Sequence, residues 1–137
     1  MKNDRKEMRQ LFLNAWQKRQ SPLSLSPLEQ QILSVIEAHK EYESIFDDPD
    51  ILNKDYRTDN NPFLHMSLHL SLLEQISINQ PTEIAQVYQQ LLQRYQDEMQ
   101  VQHGMMECLV ETIWQAQRYQ QPLDSAAYLQ RLQALLQ

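Results

Sequence analysis

The sequence predicts an all-α fold, a helical bundle of five or six helices forming a single domain over residues 1–137. Three observations predict it. There is one glycine in 137 residues, whereas strand-rich folds draw on glycine for tight turns and bulges and average usage is roughly 7%. Gln, Leu, Glu, Met and Ala are abundant, and all favour helix. Apolar residues recur at three-and-four spacing in segments that open on capping residues and close on proline or polar clusters. A chain of this size buries roughly two-thirds of its surface, enough for one core without disulfide support.

The first helix is expected from about Asp4 to Gln20, with Met8, Leu11, Phe12, Ala15 and Trp16 as its buried stripe and Ser21-Pro22 as its break. Lys2, Arg5, Lys6 and Arg9 alternate with Asp4 and Glu7, the pattern of a solvated face. The second helix opens on Ser26-Pro27-Leu28-Glu29, a capping box with proline at the first helical position. Its apolar series, Leu28, Ile32, Val35 and Ile36, is read as continuing to Tyr42 and Phe46. Asp47-Asp48-Pro49-Asp50 turns the chain into a polar loop over residues 47–60. That acidic cluster lacks the spacing, glycine and terminal glutamate of a calcium loop and reads as a solvated turn.

Asn61-Pro62 starts a third helix carrying Phe63, Leu64, Leu68, Leu72 and Ile76 and ending near residues 77–80. A fourth starts at Pro81, with Ile84, Val87, Tyr88, Leu91 and Leu92 as its stripe, and breaks near Arg94 to Asp97. A fifth spans roughly Glu98 to Gln120, holding Met105, Met106, Leu109, Ile113 and Trp114; Gly104 within it costs about 1 kcal/mol relative to alanine and would let another backbone approach. A sixth runs from an Asp124 cap to about Leu136.

Net charge is −6, which disfavours nucleic acid as a partner because its phosphates are met by basic patches. No run of about 18 apolar residues is present, so no membrane partner is expected. The charged N-terminus lacks the apolar core of a secretory signal. The single cysteine, Cys108, excludes an internal disulfide. These observations make the cytoplasm the expected location. Cys108 is read as a buried apolar thiol. With one glycine, no phosphate-cradling loop can form.

Chemistry concentrates in the four histidines. His65 and His69 are four apart on the third helix, His103 and Glu107 on the fifth, and His39 and Glu43 on the second. Residues at i and i+4 share a helix face, so each pair can direct two donors the same way. Imidazole and carboxylate together suit iron, zinc or manganese, and bundles assemble metal sites from ligands on separate helices. His65, Leu68, His69, Leu72 and Ile76 form one expected inward stripe; His103, Met106, Glu107, Val110 and Trp114 form another. The expected metal ligands are therefore His39, Glu43, His65, His69, His103 and Glu107, in a mono- or dinuclear site. Glu74 and Glu111 read as exposed carboxylates. The sequence assigns no reaction and leaves enzymatic activity undecided. The alternative is a metal-free structural or interaction module, with a buried His/Glu hydrogen-bond network and a homodimer surface on the amphipathic first and sixth helices.

Asn61-Pro62-Phe63-Leu64-His65 through His69, Met106-Glu107-Cys108-Leu109, and Trp114-Gln115-Ala116-Gln117-Arg118 together resemble a bacterial family of small uncharacterised helical proteins, number 1841 among the domains of unknown function. Gln80-Pro81, Ala127-Tyr128-Leu129 and His39-Lys40-Glu41-Tyr42 extend the likeness over most of residues 35 to 132. The resemblance implies Pro at the position of Lys40 and His at the position of Glu43, so this chain would exchange a nitrogen donor for an oxygen donor there. It implies no activity.

Overall fold

The computed structural model describes residues 2–54 and 61–137, with side chains from Arg5 onward. Part of the expected polar loop, residues 55–60, lies outside the described residues, as do the side chains of Lys2 and Asp4. The fold is all-α, with no strand among the described residues. Its α-helices are α1 (Lys2–Gln17), α2 (Pro27–Ala38), α3 (Pro62–Ile78), α4 (Ile84–Tyr95), α5 (Glu98–Arg118) and α6 (Ser125–Ala134). A 3-10 helix over Lys40–Asp47 makes seven helices among the described residues rather than the five or six expected, a three-residue turn at Pro22–Ser24 aside. The extra one arises because the predicted second helix is two: α2 stops at Ala38, His39 leaves helical geometry at φ −124° and ψ 66°, and the chain continues in the tighter form. By internal contacts the chain divides into two compact units, Met1–Leu70 and Ser71–Gln137.

In the first unit α1 packs on α2. The core gathers Phe12, Ala15, Ile32, Val35, Ile36, Phe46, Ile51, Phe63 and Met66. Aromatic rings tie it together: Phe12 meets Phe63 edge-on at 5.8 Å, and Trp16 stacks on Phe46 at 5.3 Å. Leu28, expected in the α2 stripe, is instead exposed. The N-terminal basic face also differs from expectation at one position. Arg9 is only 1% exposed. Its guanidinium donates to the Ile51 carbonyl at 3.0 Å and the Lys54 carbonyl at 2.7 Å, and lies 4.9 Å over the Phe63 ring. Burial is tolerable because fixed carbonyl dipoles and an aromatic face replace water around the charge. The Asp48 carboxylate accepts from the Asp50 backbone N–H at 2.9 Å and meets Lys54 at 3.3 Å, an Asx turn with an ion pair.

The capping box forms as the sequence requires. Ser26 Oγ accepts from the Glu29 N–H at 3.1 Å, and Glu29 Oε1 accepts from the Ser26 N–H at 2.9 Å. Lys18 adds charge-assisted bonds to both Glu29 oxygens. The Ser26 backbone N–H, and then Lys18, hold the Glu29 carboxyl below its ordinary 4.5. A depressed folded-state pKa means that Glu29 adds stability above its unfolded pKa, and that this contribution vanishes as pH falls through the folded value. Glu29→Gln, which retains a capping acceptor, is therefore expected to melt lower than the wild type at neutral pH and to converge with it in acid, once the carboxyl is protonated in the folded state as well. A melting-temperature difference that stays constant over that range would refute the charged role.

The second unit contains the end of α3 with α4, α5 and α6. Its core is Leu72, Ile84, Val87, Tyr88, Leu91, Val101, Met105, Met106, Cys108, Leu109, Tyr128 and Leu132. Asp97 and Asp124 cap α5 and α6 by accepting from the N–H groups of Gln100 and Ala127. Buried polar groups are paired: Gln102 donates to the Tyr88 hydroxyl at 2.8 Å, Thr112 to the Cys108 carbonyl at 2.7 Å, and Tyr128 to Gln75 at 2.7 Å. Burial raises the Cys108 thiol above its ordinary value, as for an inert packed sulfur. The buried face of α5 includes Met105, Met106 and Leu109 as expected, but it is rotated from the stripe drawn through His103 and Glu107. Val110 is 45% and Trp114 48% exposed, and Glu107 is exposed, whereas Met105, Cys108, Leu109 and Thr112 point inward.

Gly104 has ordinary helical geometry and meets no backbone. A Cβ there would lie 3.8 Å from Leu135 Cδ1, an ordinary contact. Gly104→Ala is therefore expected to stabilise the protein by about 1 kcal/mol in urea unfolding, through helix propensity. Destabilisation would show that the position needs its missing side chain.

Candidate metal centre

Three of the four histidines come together in the first unit. Their positions follow from two local features. Asn61 caps α3, its side-chain oxygen accepting from Phe63 N–H at 3.0 Å and Leu64 N–H at 3.2 Å. With the helix start fixed, His65 and His69 fall one turn apart on the same face. Their ring centroids are 6.4 Å apart. His39 reaches the same place from the end of α2. Its ring lies 4.7 Å from that of His65 and 5.1 Å from that of His69. His39 and His69 are buried, at 2% and 1% exposure, and His65 is half-buried.

One contact fixes the chemistry of His39. Its Nδ1 lies 2.7 Å from the Val35 carbonyl oxygen. A carbonyl can only accept, so Nδ1 carries the proton and Nε2 presents a lone pair in the neutral ring. That Nε2 faces His65 Nε2 at 3.0 Å. Two lone pairs do not face each other at that distance without a proton or a metal ion between them. Bonds of about 2.0–2.1 Å to a tetrahedral zinc would put ligand nitrogens about 3.3 Å apart. Each of the three rings offers a nitrogen within 4.8 Å of those of the others. Side-chain shifts of about 1 Å would complete a coordination shell of that size.

The group contains no carboxylate among the described residues. Glu43, half-buried, sits in the 3-10 helix. At about three residues per turn, four positions carry it roughly a turn and a third past His39, so the two do not share a face as they would on one α-helix. His103 and Glu107 lie on α5 in the second unit, half-buried and exposed respectively. Sequence reasoning missed Tyr42. Its ring stacks on His39 at 5.6 Å with an 8° interplanar angle and meets His65 edge-on at 5.8 Å. Burial first, and then Glu41, raises its phenol above the ordinary value. The signal for it was its place one 3-10 turn after His39. The Val35 carbonyl leaves no side-chain signal at all.

No helix among the described residues is long and apolar enough to cross a membrane. Comparison with curated proteins gives no match, and comparison with solved structures gives none. A family model described as a domain of unknown function, DUF1841, matches residues 4–134, and the chain belongs to that family.

Proposed function

We propose that this protein binds one transition-metal ion through His39, His65 and His69. The observation that carries the reading is the pair of imidazole nitrogens facing each other at 3.0 Å, with the His39 tautomer set by a backbone carbonyl. A carbonyl accepting from the far side of a ligating imidazole is the usual means of orienting such a ligand and raising its basicity. An all-nitrogen set favours zinc over manganese, which prefers oxygen donors. Three imidazoles leave a position open for a further donor or for metal-activated water. In this reading Glu43 and Glu107 stand outside the coordination shell.

The same 3.0 Å contact also suits an N–H···N hydrogen bond from His65 to His39, which supports a metal-free buried network as the second reading. Elemental analysis of untagged protein, followed by zinc titration, separates the two. The metal reading expects about one equivalent bound and a rise in melting temperature on adding zinc. Less than about 0.2 equivalents of any transition metal, with no thermal shift from zinc, iron or manganese, would favour the network instead.

A further inference from the structure

The second unit holds a cavity of about 480 Å³, inside the range of roughly 300–1,000 Å³ typical of small-molecule sites. Its floor is apolar. Leu91 and Val101 are buried there, and Leu135 closes one side. Gly104 lies in the wall, and the space beside Leu135 is open because no side chain fills it. Leu135 is held in place: the Tyr95 hydroxyl donates to its carbonyl at 2.9 Å, and the Arg94 guanidinium donates to the Leu136 carbonyl. The polar part of the lining is made by Tyr95, Gln100, His103 and the exposed carboxylate of Glu107. No Lys or Arg among the described residues lines the cavity, and the chain as a whole carries −6.

We propose that this cavity binds a small organic cation, an arylalkyl or alkyl primary amine, with the apolar body against Leu91, Val101 and Leu135 and the ammonium donating to Glu107. The apolar floor rewards desolvation of a hydrocarbon body. The imidazole of His103 aside, the single formal charge in the lining is the negative one of Glu107, so an ammonium gains a charge-assisted hydrogen bond where a carboxylate would be repelled. The inference does not rest on the metal reading, because the walls and the charge come from α4, α5 and the end of α6.

Amide chemical-shift titrations of the full-length protein with 2-phenylethylamine, 2-phenylethanol and 3-phenylpropionate test it. The amine is expected to shift Gly104 and its neighbours, the alcohol to bind about tenfold more weakly, and the carboxylate not to bind. Glu107→Gln should bring the amine down to the affinity of the alcohol, and Gly104→Leu should abolish binding of both by filling the space. Equal binding of carboxylate and amine, or no shift with millimolar amine, would overturn the proposal. Glu107 is exposed, so its variant keeps the test decisive if the glycine replacement fails to fold.

Discussion

Arg9→Ala is expected to destabilise the protein by about 3 kcal/mol, measured by urea unfolding. The size follows from what the guanidinium does. It supplies donors to the Ile51 and Lys54 carbonyls, and its planar face covers Phe63. Truncation takes the guanidinium donor from the Ile51 carbonyl, leaves the Lys54 carbonyl with only its bond from Arg5, and opens a space beside an aromatic ring that also packs on Phe12 and Phe46. Arg9→Met separates the two contributions, since it keeps most of the volume and none of the donors. It should recover about a third to a half of the loss, the share that belongs to packing. An alanine variant within about 1 kcal/mol of wild type would mean that water replaces the guanidinium without penalty. The prediction also bears on the histidines. Phe63 lies two residues before His65 at the start of α3, so loss of Arg9 loosens the turn that sets the direction of that imidazole.

Arg9 also marks where reading the sequence runs out. Its alternation with Glu7 and Lys6 is indistinguishable from that of a solvated face, because the carbonyls that receive it come from residues more than forty positions away. Local signals fared better. Ser26 with Glu29, Asn61 with Pro62, and Asp124 are short-range chemistry, and the helices they start are where the sequence puts them. His65 and His69 share a face for the same reason. The His39–Glu43 pairing fails as an α-helical pair because the apolar spacing from Ile32 to Phe46 suits a continued helix and hides the break at His39. The orientation of α5 was legible in part from periodicity, which puts Met105, Met106 and Leu109 inward as observed. Val110 and Trp114 are large and apolar but exposed, while Thr112 is buried by bonding back to the Cys108 carbonyl.

Zinc added at about a hundredfold excess over its dissociation constant is expected to stabilise the wild-type protein by about 2.7 kcal/mol, a rise of about 10 °C for a chain of this size. His39→Ala and His65→Ala should each remove that rise and lower zinc affinity by more than about 100-fold, since even residues that only orient a ligand change affinity by 10–100-fold. The two readings diverge in the untitrated protein. If the contact between His39 and His65 is a hydrogen bond alone, His65→Ala costs about 1–3 kcal/mol without zinc, and zinc does nothing to the wild type. If a metal ion belongs there, the variants differ from wild type chiefly in the zinc response. The ring nitrogens report the same distinction directly. Long-range ¹H–¹⁵N spectra should show His39 protonated at Nδ1, as its contact with Val35 requires, and zinc should move the Nε2 resonance while leaving Nδ1 protonated. A His39 ring protonated at Nε2 with zinc present would remove its lone pair from the site, and the three-histidine centre with it.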